Sequence, residues 1–323
     1  MGSAARHVLV RRPQQFVEML WRVVVTTVGS CMRYRVTGLA AEAAFFAILS
    51  LPPLIFALTG AIGVVTERIP DTRVTDVRQA AIDLSSQAFT QPVVDGIITQ
   101  TIDEVLAGGV RYDIISIGFV LALWSGSRAL NVFVDTITIM HGLGGHRGIV
   151  KTRALSFSLY ALGLVVGMVT IPLVVAGPTL VRAWVPDQLS FLEAFYWPTV
   201  LVSCIFFLAM LYHISVPVRT HWSFNLPGAI FSLVCWVLGS WLLRWFLTAT
   251  SAGSTSIYGP LAAPIAVLIW LYIVSIAVLI GAAVNAAFDE VFPQLTTTRA
   301  RRELVQRLRG RMSNGNGNGN ENA

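Results

Sequence analysis

In the stretch LWSGSRALNVFVDTI, Arg128, Asn131 and Asp135 fall at i, i+3 and i+7. Residues at that spacing share one face of a helix. The surroundings are apolar enough to place this helix in a membrane, where a charged side chain is costly and has to face protein or a polar cavity. A guanidinium can do two things there. It can pair with a carboxylate and tie helices together, or it can hold the phosphate or carboxylate of a ligand, which its planar fork matches. A second polar group occurs in AAEAAFFAILSLPP, where Glu42 precedes Pro52 and Pro53. Glu42 lies a few residues past the start of its apolar segment, roughly 5 Å deep given the helical rise. It is either an interfacial carboxylate, solvated or stabilising a helix N-terminus, or part of a polar path with Arg128, Asn131 and Asp135. Asp135 would lie at similar depth if the two helices are neighbours. Consecutive prolines remove two backbone donors and crowd the preceding turn, so Pro52 and Pro53 are expected to kink or break their helix. Backbone freed in this way is tolerated only against protein or a wet cavity.

No enzyme motif accompanies these residues. HExxH, GxSxG and the P-loop pattern are missing from the sequence, and the glycines of GLGGHRG follow no strand-like segment, so a dinucleotide fingerprint is excluded. His141, His146 and His213 have no thiol or carboxylate cluster near them in sequence, and Cys31, Cys204 and Cys235 are far apart. That pattern suggests neither a zinc site nor a disulfide framework. Catalytic residues, metal ligands and cofactors are therefore not expected.

The elements that would position the polar face are long apolar helices. Hydrophobic residues make up 55% of the 323 and charged residues 12%, against roughly 25% charged in soluble domains. Segments long enough to cross about 30 Å of hydrocarbon occur near 39–65, 114–139, 154–178, 195–216, 223–247 and 258–287. The fold class read from this is an all-α, polytopic membrane protein with six transmembrane helices. Pro172, Pro178 and Pro264 are expected to interrupt helices as Pro52 and Pro53 do, and Gly259-Pro260 would open the last span. In the last span, Gly281 and its alanine neighbours are small enough for close helix approach, and Asn285 could hydrogen-bond across helices. These residues could pack within one chain or between two.

The chain divides accordingly. Residues 1–38 form a basic segment with an amphipathic interfacial helix, and 39–290 the membrane domain. The loop 66–112 carries apolar residues at helical spacing on both sides of Gln91-Pro92, and so reads as amphipathic helices. Residues 291–323 are an Arg-rich tail ending in a low-complexity NGN run, a composition expected to be disordered. The net charge of +6 is concentrated at the ends. Nucleic-acid binding is one reading of such ends, but the basic residues have no aromatic interleaving. The two tails and the even-numbered loops hold sixteen Lys and Arg, and the odd-numbered loops five. This asymmetry places both termini in the cytoplasm.

Three segments carry a family resemblance. LAAEAAFFAILSLPPLIFAL resembles the first-span motif of the YihY/BrkB family of membrane proteins, through Phe45-Phe46 and Ser50 to Pro53. LWSGSRALNVFVDTI is similar to its second-span motif, and SIYGPLAAPIAVLIWLYIVSIAVLIGAAVNAAF to its final span. Glu42 departs from the resemblance, which has a small residue there. The resemblance implies a six-span protein of the bacterial inner membrane, from a family whose ribonuclease BN label is regarded as a misassignment. Some members have been linked to serum resistance and others genetically to lipid export. Two functions of different class are consistent with the residues. The first is movement of a lipid or amphipathic anion, with Arg128 attracting the head group, Asn131, Asp135 and Glu42 lining the path, and membrane lipids as partners. The second is a non-transporting scaffold for envelope assembly, with the 66–112 loop as the partner surface or with a second copy as partner. A nuclease would need clustered carboxylates for metal, and the cytoplasmic loops have almost none.

Overall fold

A computed structural model describes residues 13–66, 112–184, 191–218, 221–251, 262–291 and 297–300, with single positions at 79, 82, 99, 302, 303, 305 and 306. The expected amphipathic helices of the 66–112 loop, the Gly259-Pro260 opening and the NGN tail lie outside the described residues. Among the described residues, seven long helices follow in order: α1 Pro13–Arg33, α2 Val36–Thr66, α3 Tyr112–Met140, α4 Ile149–Trp184, α5 Phe191–Ser215, α6 Leu226–Ser251 and α7 Ala262–Val291. A short 3-10 turn, Trp222–Asn225, leads into α6. The described residues contain no strand. Six helices, α2 to α7, are long and apolar enough to cross a membrane. The chain is an all-α, multi-pass membrane protein.

α7 is the hub, packing against α1, α2, α3 and α6, while α2 lies along α3 and α3 along α4. The residues at the centre explain how. Ala40, Ala43 and Ala44 of α2 and Ala282, Ala283, Ala286 and Ala287 of α7 are all buried. Lipid tails are as apolar as leucine, so helices associate in a membrane by close packing rather than by escape from water, and small residues permit that approach. The large side chains point the other way. Phe206, Val237, Leu238, Trp241 and Trp245 are exposed on the protein and would face acyl chains.

α1 docks through a narrow edge, with Val23 and Thr27 buried, while Trp21, Val28 and Met32 stay exposed. It turns into α2 at Arg35, which holds a left-handed φ of 50°. The expected proline breaks are not found. α2 runs unbroken through Pro52 and Pro53, α4 runs past residues 172 and 178, and Pro264 sits in the first turn of α7. A first turn tolerates proline because its N–H groups have no intrahelical partner. The carbonyls that lose their donor to the Pro52-Pro53 pair are those of Ile48 and Leu49; just before them, Ser50 Oγ donates to the Ala47 carbonyl at 2.7 Å, and Ser125 Oγ of α3 to the Phe46 carbonyl at 3.0 Å.

Candidate functional site: a polar face on α3 and a sealed seam at α7

The polar face is built on α3, which lies between α2 and α4. Gly126 faces the ring of Tyr160 on α4, where a Cβ would overlap that ring. The missing side chain therefore sets how closely α3 and α4 approach. Ser156 Oγ donates to the Thr152 carbonyl at 2.9 Å and lies 3.4 Å from Asn131 Oδ1 across the interface. On the other side, the Arg128 guanidinium carbon lies 4.9 Å from the centroid of the Phe46 ring of α2 and 5.7 Å from that of Trp124. Aromatic faces attract a cation through the ring quadrupole, by about 0.5–2 kcal/mol depending on desolvation. That leaves the guanidinium's hydrogen-bonding fork uncommitted. Among the described residues, Arg128 has no carboxylate in ion-pair contact.

Arg128 and Asn131 are half-buried, and Asp135 is exposed one turn further on. Glu42 is exposed on α2, one turn from Phe46. The structure thus puts Arg128 beside α2 and Asn131 beside α4, but brings Glu42 and Asp135 into no hydrogen bond or ion pair among the described residues. With Phe46 set against Ser125 and Arg128, antiparallel counting places Glu42 opposite 129–132. It lies about one turn deeper than Asp135 rather than level with it. Pro52 and Pro53 continue the half-exposed side of α2 away from Glu42.

The second polar region joins α5, α6 and α7. Asn285 of α7 accepts the Gly228 N–H at 2.7 Å and donates to the Asn225 carbonyl at 3.2 Å. Gly228 belongs to the first turn of α6, whose N–H groups have no intrahelical acceptor. Asn285 therefore caps a neighbouring helix. Close by, the Tyr212 hydroxyl donates to the Val278 carbonyl at 2.8 Å and lies 2.6 Å from Ser232 Oγ, which reaches the Ala277 carbonyl at 3.0 Å. Gly281 meets Gly228 across this seam, and a Cβ on either would run into the other's carbonyl oxygen.

Sequence reasoning did not find Tyr212, Ser232 or Gly228, because each sits in an apolar run with nothing local to distinguish it. It also read the loop bases only as flanking charge. Arg147, one of them, directs both terminal nitrogens at the end of α5: to the Ile214 carbonyl at 3.0 Å, with further bonds to the Ser215 and Val216 carbonyls at 3.1 and 3.2 Å. Burial pulls its pKa below the ordinary arginine value, but arginine keeps its charge, and a cation at a helix C-terminus is favourable.

The model of the virulence factor BrkB family matches residues 27–304. The chain belongs to that family. A relative in Bacillus subtilis (strain 168), the putative ribonuclease-like protein YfkH, is 28% identical over 254 residues, covering 76% of this chain and 88% of its own. No solved structure matches the chain. The family match spans α2 to α7 and so includes both polar regions.

Proposed function

We propose that this protein moves a lipid or amphipathic anion between the leaflets of the bacterial cytoplasmic membrane, with both termini in the cytoplasm. One observation carries the reading. Arg128 stands at the middle of the span Ser116–Met140, held by two aromatic rings and by no carboxylate among the described residues. A permanent cation at that depth is costly, and no structural bond accounts for it. An anionic head group would. Asn131 and Asp135 extend the same face of α3, and Glu42 borders it on α2. The sequence has no nucleotide-binding pattern, so movement is passive or ion-coupled. Membrane lipids are the partners and nucleic acid is not. The name of the Bacillus subtilis relative does not alter this. Hydrolysis of a phosphodiester calls for clustered acids, and among the described residues no three of His, Cys, Asp and Glu are grouped closely enough to hold a metal.

The test is reconstitution into liposomes with labelled lipids, following leaflet exchange for the wild type, Arg128→Leu and Glu42→Gln. Exchange that disappears in Arg128→Leu supports the proposal. Wild-type exchange no faster than in protein-free liposomes, with all three proteins folded, overturns it in favour of a scaffold for envelope assembly.

A further inference from the structure

Three sides can be told apart on α1. Val23 and Thr27 are buried and form the edge that docks on α7. Trp21, Val25, Val28 and Met32 recur at i, i+4, i+7 and i+11, so they make one stripe along the helix. They are 67%, 52%, 57% and 77% exposed. Glu18, Arg22 and Arg33 lie on the remaining side and are exposed as well. A helix with one apolar and one charged free side suits a membrane surface, where the first meets acyl chains and the second meets water.

Where these two free sides of α1 pass the end of α7, the surface is hollow. A cleft of about 450 Å³ is lined by Trp21, Arg22, Val25 and Thr26 of α1 and by Glu290 and Val291 of α7. Small-molecule sites usually measure about 300–1,000 Å³, so the cleft is large enough for a ligand. Glu290 and Val291 are the last residues of the span Pro264–Val291. The cleft therefore stands where hydrocarbon gives way to lipid head groups, a layer about 5–8 Å deep on each face of a bilayer. Trp21, Arg22, Val25 and Glu290 are exposed, which leaves it open to that layer.

The lining indicates what fits. One helix brings a guanidinium and the other a carboxylate, and among the described residues neither is in an ion pair. The planar fork of Arg22 matches a phosphate. The Glu290 carboxylate is an acceptor for an ammonium group. A purely anionic head group would serve Arg22 and set a second negative charge beside Glu290. A head group with both a phosphate and a primary ammonium serves both. Trp21 and Val25 add an apolar wall. An indole at head-group level keeps its ring towards the chains and its N–H towards the polar layer. A free zwitterion without chains would have no use for that wall.

We propose that the cleft between α1 and the end of α7 binds a phospholipid whose head group carries a phosphate and a primary ammonium. Arg22 takes the phosphate, Glu290 the ammonium, and Trp21 and Val25 the start of an acyl chain. The lipid bridges two helices that otherwise meet along the narrow edge of Val23 and Thr27, and so fastens α1 to the bundle. The site is built on other helices than the α3 face. It goes beyond the transport reading and does not rest on it.

The experiment measures binding, by native mass spectrometry of the full chain stripped of lipid in a neutral detergent. The probes are phosphatidylethanolamine, phosphatidylglycerol, which has the phosphate and no ammonium, and phosphorylethanolamine, which has the head group and no chains. Phosphatidylethanolamine is expected to bind best and phosphatidylglycerol about fivefold more weakly, the upper end for one ion pair open to water. Phosphorylethanolamine should not displace the lipid at equal concentration. Arg22→Gln should weaken both lipids, and Arg22→Lys, which keeps the charge but lacks the fork, should weaken them less. Glu290→Gln should weaken phosphatidylethanolamine about fivefold and phosphatidylglycerol not at all, so that the preference disappears. Arg33→Gln, on α1 outside the cleft, controls for general charge and should bind as the wild type does. Arg22 and Glu290 are exposed, so their variants should melt with the wild type when no lipid is added. A preference that survives Glu290→Gln overturns the ammonium contact. Loss in Arg22→Gln no greater than in Arg33→Gln overturns the phosphate contact. Phosphatidylglycerol bound more tightly than phosphatidylethanolamine makes this a site for anionic lipid and overturns the zwitterion assignment. Displacement by phosphorylethanolamine overturns the role of the chains. Absence of leaflet exchange in the wild type overturns transport and leaves this site standing.

Discussion

The seam at α5, α6 and α7 and the face on α3 are both polar regions inside apolar helices, yet they are finished differently. At the seam every polar group discussed has a partner: Asn285 fills the open first turn of α6, and Tyr212, Ser232 and two backbone carbonyls satisfy one another. Tyr212, Asn285 and Ser232 are buried. On α3 the groups are half-open or exposed, and among the described residues the Arg128 charge has no carboxylate partner. A polar group in hydrocarbon costs several kcal/mol when left unbonded (about 2–7, depending on reference). The seam removes that cost within the fold. The α3 face leaves it for something else to remove. Polarity in a membrane helix is therefore no functional signal in itself, and the distinguishing property is whether the fold has already satisfied it.

This contrast can be broken most forcefully at Gly281. A valine there would force its side chain into Ser232 Oγ and the Gly228 carbonyl, and overpacking of this kind costs about 3 kcal/mol or more where backbone is in the way. Gly281→Val should abolish folded protein, as read by size-exclusion profile in detergent. Asn285→Leu should come next. It leaves the Gly228 N–H and Asn225 carbonyl without their partner, at about 1–3 kcal/mol, and should lower the melting midpoint of the purified protein clearly. Arg147→Ala removes the α5 cap and should destabilise by about 1–2 kcal/mol, seen in the same melt and in faster proteolysis near Ile214. The smallest stability effect belongs to the α3 face. Arg128→Leu removes only ring contacts and should shift stability by about 1 kcal/mol or less, while removing leaflet exchange. If Arg128→Leu melts like Asn285→Leu, the two regions are alike and the contrast fails.

How much of this could be read without the structure differs by level. The six spans follow from hydropathy, because the bilayer imposes one length and one solvent on every crossing segment. The shared face of Arg128, Asn131 and Asp135 follows from the helical repeat alone. The break expected at Pro52 and Pro53 is absent for a physical reason: a lost donor is a local fact, but whether the helix continues depends on the helices packed against it, and α2 lies along α3. Glu42 and Asp135 were set at one depth for a similar reason, since register between two helices is not encoded in either.

The sequence by itself determined that this is a multi-pass helical membrane protein, which BrkB features it carries, and that α3 bears a cation at mid-span. Those properties depend on composition and on the period of one helix. Only the tertiary structure decided that Asn285 and Tyr212 are already satisfied, that Arg147 caps α5, and that Arg128 meets rings rather than a carboxylate. Each of these is a contact between segments distant in the chain. Such contacts are fixed by how closely small residues let helices approach, which no single helix specifies.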